Sequence, residues 1–178
     1  MIGRVILVAA AAAVALAGSA LAQSPYAGLQ ARPIKALSEQ QIADLRAGRG
    51  MGLALPAELN GYPGPIHVLE LAGPLALSEA QRAAVERQFE AMKAESIPLG
   101  ERLIEQEARL DRLFAARTAT ADNVAAAVAA IAETQGALRN AHLRYHLTTL
   151  ALLQADQIER YGRLRGYGDG EPRQHRHP

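Results

Sequence analysis

The sequence has no cysteine and no tryptophan, and it has few other large aromatic side chains: two phenylalanines and five tyrosines. The lack of cysteine excludes disulfide bonds, thiolate metal ligands, a cysteine nucleophile and a lipid-modified N-terminal cysteine. Because the formal net charge is only +1, bulk attraction to nucleic acid is not indicated. The sequence also lacks a glycine-rich phosphate loop and a paired carboxylate arrangement, so we expect a protein that is not an enzyme.

The first 22 residues have the organisation of a secretory signal peptide. Arg4 supplies a positive charge, and residues 5–18 form an uninterrupted run of apolar or small residues. That run is shorter than the roughly 20 residues that a membrane span needs. Ala20 and Ala22 form the small-x-small pattern of a cleavage site, so we expect removal of residues 1–22 and export of the mature chain. The alternative is an uncleaved membrane anchor.

Two long stretches, ending near residues 116 and 152, carry the pattern of one helical hairpin. In each of them a set of mainly apolar residues recurs at alternating spacings of four and three, which keeps one stripe facing a partner helix. The turn is predicted at residues 117–120. The fold class is therefore all-α, with a long antiparallel hairpin. The predicted stripes are Val85, Phe89, Met92, Ser96, Leu99, Leu103, Gln106, Leu110 and Leu113, then Val124, Val128, Ile131, Gln135, Leu138, His142, Tyr145, Thr149 and Leu152.

Short helices are predicted on both sides of the hairpin. Residues 23–65 form an N-terminal arm with one short helix from Leu37 to about Ala47, with room for one or two helical turns at residues 53–59. Residues 66–166 form the hairpin domain, which includes short helices at residues 66–72 and 153–164. Residues 167–178 are expected to be a disordered tail. Pro98 should bend the first long helix, because proline removes a backbone hydrogen bond.

One short motif occurs at the start of three predicted helices. Each copy has a leucine, then a polar residue, then a glutamine three residues after that. Serine in the second position can accept a hydrogen bond from the first turn, and the glutamine can reach back to the cap. Physically, the motif demands no more than three helix starts. The motif residues are Leu37, Ser38 and Gln41; Leu77, Ser78 and Gln81; and Leu153 and Gln157, with Gln154 in place of serine.

The leader, the all-helical body without cysteine and the repeated Leu-Ser/Thr-x-x-Gln element resemble the Spy/CpxP family of bacterial periplasmic proteins. Relatives described as periplasmic heavy-metal sensors, such as the CnrX and ZraP groups, belong to the same broad set. The resemblance covers about residues 37–166. It implies a periplasmic dimer of helical hairpins with a curved, cradle-like surface, which binds misfolded proteins without ATP or restrains an envelope-stress sensor.

The residues themselves also predict a hairpin that is incompletely buried. Each helix of a two-helix hairpin meets only one neighbour, and five apolar residues lie beside the predicted stripes: Ile97, Ile104, Leu143, Leu147 and Leu150. They need cover from the short helices, a second chain or a bound protein. We therefore expect a homodimer that acts as an ATP-independent chaperone or envelope-stress adaptor for unfolded, misfolded or partner proteins, with no required cofactor.

The histidines indicate an alternative function, that of a periplasmic heavy-metal-binding sensor or resistance protein. His142 and His146 are four residues apart on one helix, so both rings lie on one face and could share a metal ion. His67 and Glu70, three apart on a short helix, could fold over the hairpin and complete a site for Zn, Ni, Co or Cu(II). In the structural alternative, His142 is a partly buried residue bonded to a backbone carbonyl, and His146 lies at the boundary of the helix contact.

Overall fold

The computed structural model describes residues 25–167, and this part of the chain is helical with no β-strand. The predicted signal peptide at residues 1–22 lies outside the described residues, as does the predicted tail beyond Tyr167. A 3-10 turn at Leu29–Ala31 comes first. It is followed by α1 (Glu39–Arg46), α2 (Leu55–Glu58), α3 (Pro65–Glu70), α4 (Glu79–Ala115), α5 (Ala121–Leu150) and α6 (Ala155–Arg165).

Helices α4 and α5 form the long antiparallel hairpin, and the all-α prediction is confirmed. At a rise of about 1.5 Å per residue, the 37 residues of α4 span roughly 55 Å. α4 continues through Pro98 without a break. Polar contacts fix the pairing of the two helices: the Tyr145 hydroxyl donates to Glu95 at 2.6 Å, and the Thr148 hydroxyl donates to Gln88 at 2.9 Å.

Capping boxes set the starts of the main helices. The hydroxyls of Ser38 and Ser78 accept the backbone N–H three residues later, and the glutamines at those positions accept the serine N–H in return. Helix α5 begins in the same way with Thr120 and Asn123. The turn before it contains Arg117 at a φ of 56°, a left-handed conformation that ends α4.

The N-terminal arm contains α1, as predicted, and a helical turn within residues 53–59, where one or two turns were expected. Besides α1, its described part holds the 3-10 turn and α2, whose first turn includes Pro56. Proline suits the first turn of a helix because an N–H there has no partner within the helix. Helix α3 likewise begins with Pro65, so the domain boundary predicted between residues 65 and 66 falls inside a helix.

Two apolar clusters pack the short helices onto the hairpin. The first joins α1 and the preceding segment to the middle of the hairpin through Ile34, Leu37, Leu45, Leu103, Ile104, Ile131 and Leu138. The second joins α3 and α6 to the end of the hairpin opposite the α4–α5 turn, through Val68, Leu75, Val85, Leu153 and Tyr161. Helix α1 comes closest to α4 at Gly100, where a Cβ atom would lie 2.5 Å from the carbonyl oxygen of Leu45. Any larger residue at position 100 would push α1 away.

The hairpin therefore has two regions, which we define by residue number. The base comprises residues 79–104 of α4 and 131–150 of α5, and it contains every buried residue of these two helices. The distal hairpin comprises residues 105–130, none of which is buried. No helix within residues 25–167 is both long and apolar enough to cross a membrane.

The contact stripe of α5 differs from the predicted one in two places. Gln135 is exposed and Val128 is 50% exposed, although both were predicted to face α4. Thr134 and Ala141 are buried instead. Small residues let two helices approach closely, and a pattern ranked by hydrophobicity overlooks them. The stripe prediction is wrong at Gln135 for this reason, whereas Val128 is exposed in the distal hairpin, where no residue is buried.

Candidate functional site

The second and third copies of the repeated motif meet in space through Gln81 and Gln157, which we call the glutamine pair. The side-chain amide of Gln81 donates to Oε1 of Gln157 at 2.8 Å and to the carbonyl oxygen of Leu152 at 2.9 Å. The amide of Gln157 donates to Oε1 of Gln81 at 3.2 Å and to the carbonyl oxygen of Leu75 at 3.2 Å. Each glutamine thus binds both the other glutamine and the chain just before the other helix.

Each glutamine of the pair also caps its own helix. The backbone N–H of Ser78 donates to Gln81 at 3.0 Å, and that of Gln154 donates to Gln157 at 2.9 Å. The three predicted helix starts are confirmed, and two of the copies do more, because they also fasten α4 to α6. The first copy caps α1 alone, and its Gln41 is exposed.

A cavity of about 680 Å³ lies between the base of the hairpin and the short helices, and we call it the base cavity. One wall is the loop of residues 47–52, in which Gly48, Met51 and Gly52 have positive φ angles. The other walls come from α2, α3, α4, α5 and α6. All four residues of the predicted metal site line this cavity: His67, Glu70, His142 and His146.

The two histidines of α5 are both buried, but they differ in their partners. Nδ1 of His146 lies 2.6 Å from the carbonyl oxygen of Tyr62, which places the ring proton on Nδ1 and leaves the lone pair on Nε2. Nε2 of His142 is enclosed and has no hydrogen-bond partner within the described residues. The alternative to metal binding was a buried histidine bonded to a backbone carbonyl. It was predicted for His142, but the structure shows it for His146.

Two glycines shape the surroundings of these rings. A Cβ atom at Gly64 would lie 2.8 Å from Cε1 of His146, and one at Gly50 would lie 3.3 Å from Nδ1 of His142. The backbone of the loop and of the α3 start can approach the imidazoles only because these positions lack a side chain. On α3, His67 and Glu70 bond each other, with Nδ1 and Oε2 3.0 Å apart.

Glu58, a residue that the sequence analysis missed, is the centre of a buried polar network beside the cavity. Its side chain is 6% exposed. The Tyr161 hydroxyl donates to Oε1, Arg165 Nε lies 3.4 Å from the same oxygen, and the Gly64 N–H donates to Oε2 at 3.3 Å. Nδ1 of His146 lies 3.8 Å from Oε2. A buried carboxylate is tolerated only with such partners, so Glu58 ties α2, α3, α5 and α6 together.

Burial sets the protonation of two residues in this region. It lowers the pKa of His142, and the neighbouring His146 lowers it further. Burial also raises the pKa of Tyr161 far above its usual range, and the hydrogen bond to Glu58 adds to that shift. Near neutral pH, His142 is therefore an uncharged imidazole and Tyr161 keeps the proton that it donates to Glu58.

The structure brings the four predicted metal ligands to one cavity but does not bring them together at one point. Among residues 25–167, no group of three or more His, Asp or Glu side chains is placed so that it could hold a metal ion. Glu70 is bonded to His67, and the two α5 histidines have separate surroundings. The four-residue metal site stays a prediction.

The only sequence signal for the Glu58 network is weak. Glu58 is a single acidic residue in an apolar turn, and Tyr161 and Arg165 are four apart on one face of α6. Nothing local connects these positions, because Glu58 and Tyr161 are 103 residues apart.

Comparisons of the chain with family models, curated proteins and solved structures found no match. Its function has to be argued from the geometry of the base cavity and of the distal hairpin.

Proposed function

We propose that this chain is a periplasmic, ATP-independent chaperone or envelope-stress adaptor, which binds unfolded or partner proteins on its distal hairpin. The observation that carries the proposal is the absence of any buried residue between positions 105 and 130. A two-helix segment with a fixed backbone and uncovered apolar side chains suits binding of other chains. The resemblance of the repeated motif and leader to the Spy/CpxP family supports the same function.

The apolar side chains of the distal hairpin are few and separated by alanines. Phe114 is 58% exposed and Val128 is 50% exposed. Leu113 and Val124 are partly exposed, and Leu110, at the start of the distal hairpin, packs against the first apolar cluster. Each such contact buries little area, so binding is weak enough to reverse without ATP.

Arginines surround these apolar side chains. Within the described chain, Arg109, Arg112 and Arg117 of the distal hairpin are exposed and form no ion pair. Unpaired charges on a rim raise the rate of encounter with chains of opposite charge, and salt screens this effect. Charge reversal of Arg109 and Arg112 should therefore slow capture of acidic unfolded proteins more at low salt than at high salt.

The test is suppression of aggregation of several chemically different unfolded proteins, without nucleotide. Phe114→Asp combined with Val128→Asp should reduce suppression several-fold, because both side chains lie on the proposed surface. Leu147→Asp is the matched control, since Leu147 is 57% exposed but lies on the base. If the wild type suppresses no aggregation, the chaperone form of the proposal fails. If the control variant loses as much activity as the distal variant, the proposed location is wrong.

Two further parts of the proposal concern assembly and export. The incomplete cover of the hairpin favours a homodimer, whose thermal midpoint should rise with protein concentration. A concentration-independent midpoint at micromolar protein would contradict it.

The leader favours cleavage after Ala22, so the mature protein should begin at Gln23. Recovery of the full-length chain in the membrane fraction would favour the anchor instead.

A second candidate function is metal binding, and the tautomer of His146 favours it. A backbone carbonyl on Nδ1 is the usual partner of a metal-binding histidine, and it leaves Nε2 available. His142→Ala with His146→Ala should then abolish micromolar binding of Zn, Ni, Co or Cu, measured by titration calorimetry, while circular dichroism shows intact helices. Binding that persists until residues 173–178 are removed would assign the metal to His175 and His177.

A further inference from the structure

The base cavity has the size of a small-molecule site rather than an ion site. Its volume of about 680 Å³ falls within the range of roughly 300–1,000 Å³ for pockets that hold organic ligands. Apolar side chains from four separate parts of the fold supply much of the lining: Met51, Leu55, Ile66, Phe89 and Met92. A ligand that fills this space needs an apolar body.

One residue of the cavity wall also has a buried polar atom whose hydrogen-bonding capacity is unused. His142 is 3% exposed, it lines the cavity, and its Nε2 has no partner within the described residues. A buried polar group without a partner is rare in a folded protein, and each one calls for an explanation. A polar group on a bound molecule would satisfy it.

The charges around the cavity favour an anion. Three cationic side chains and two acidic ones line it. The acids are already engaged, Glu58 by Tyr161 and Arg165, and Glu70 by His67.

Of the cations, Lys93 is the most weakly paired. Its Nζ lies 3.7 Å from Glu90, which is outside the cavity lining, and 5.4 Å from the centre of the Phe89 ring. Arg49, by contrast, is 2.8 Å from Asp44. Lys93 is therefore the cation on the cavity wall that could exchange its long ion pair for a closer anionic partner at the least cost.

We propose that the base cavity binds a small organic acid, with its apolar body against Phe89, Met92 and Ile66 and its carboxylate toward Lys93 and His142. Three observations carry this: the mainly apolar wall, the unpartnered imidazole and the weakly paired lysine. The site is separate from the distal hairpin, so it does not depend on the protein-binding function proposed above.

The test is titration calorimetry of the mature protein with decanoate, decan-1-ol and decylamine as probes. Decanoate should bind with one molecule per chain and at least about tenfold more tightly than the alcohol or the amine, since a charge-assisted contact is lost in both. Equal affinity for the three probes would overturn the inference, because it would show a pocket without acid recognition. Failure of decanoate to bind would overturn the inference as well, even if the protein binds Zn.

Variants assign the binding to the cavity. Lys93→Met should weaken decanoate binding about tenfold. Lys93→Arg keeps the positive charge and should bind decanoate nearly as tightly as the wild type does. Lys35→Met is the matched control, because Lys35 is the only other lysine and lies outside the cavity. Decanoate should also shift the NMR signals of the His142 imidazole. Phe114→Asp, on the distal hairpin, should leave decanoate binding unchanged. If Lys93→Met binds as the wild type does, or if Phe114→Asp abolishes binding, the site is not the base cavity.

Discussion

The base of the hairpin and its distal half are built from the same two helices, yet they differ in how far other helices bury them. The base is covered by α1, α3 and α6; the network centred on Glu58 joins α3 and α6 to α5, and the glutamine pair joins α6 to α4. Besides the contact between α4 and α5, the distal hairpin has contacts that only partly bury its first turns: Ala108 and Leu110 pack against the first apolar cluster, and Lys35 pairs with Asp111 at 3.3 Å. The difference shows that pairing two alanine-rich helices does not by itself bury side chains. Burial here requires a third element.

The largest effect is expected where the base is fastened by a buried charge. Glu58→Ala should lower the free energy of unfolding by about 3 kcal/mol, because it leaves the buried Tyr161 hydroxyl without its acceptor and the partly buried Arg165 without its ion-pair partner. Glu70→Ala is the control, since Glu70 is exposed and its pair with His67 should contribute at most about 1 kcal/mol. Urea unfolding measures both. Equal losses would mean that the Glu58 network does not fasten the base.

The glutamine pair should have the next largest effect. Gln157→Ala removes four hydrogen bonds in a buried position and should cost about 2 kcal/mol. Gln41→Ala removes only the cap of α1 and should cost about 1 kcal/mol or less. In a double-mutant cycle, Gln81→Ala and Gln157→Ala should be coupled by more than about 0.5 kcal/mol. Additive losses would show that the two copies of the motif act only as separate caps.

The pH dependence of stability should also come from the base. The pKa of His142 is lower in the folded protein than the value of about 6.5 that it has when unfolded. The unfolded chain then binds more protons as the pH falls below about 6.5, so this contribution to stability is present at neutral pH and is lost toward acid pH. Urea unfolding between pH 7.5 and 5.5 should show a smaller loss for His142→Gln than for the wild type. An unchanged loss would exclude His142 as the source.

The smallest effect on stability is expected in the distal hairpin. Phe114→Asp should change the free energy of unfolding by no more than about 0.5 kcal/mol, because the side chain is already exposed. The same variant should still weaken binding of unfolded proteins. A loss of stability as large as that of Gln157→Ala would show that the distal hairpin is covered in solution, as in a dimer that buries Phe114.

The elements of the fold could be predicted from the sequence because their signals are local. The starts of α1 and α4 depend on Ser38 with Gln41 and on Ser78 with Gln81, which are three residues apart. The hairpin follows from a repeat of apolar residues at helical spacing. The contact stripe was wrong at Gln135, because close helix packing at Thr134 depends on small size rather than on hydrophobicity.

The site could be predicted only in part, because most of it is made of contacts between distant residues. The spacing of His142 and His146 correctly placed both on one side of α5, and α3 does bring His67 and Glu70 to the same cavity. The meeting of Gln81 with Gln157, 76 residues away, has no signal in either copy of the motif. The size of the cavity depends on the loop of residues 47–52, whose path is set by glycines rather than by any periodic pattern.

Hydrogen exchange of the mature protein, with and without an unfolded client protein, tests the central claim most directly. Without client, amides of the base should exchange slowly, and those of residues 105–130 should exchange faster because no buried residue holds them. With client, protection should increase in residues 105–130 and remain unchanged in the base. Protection that appears only around the base, or no change at all with a client whose aggregation the protein suppresses, would contradict the account.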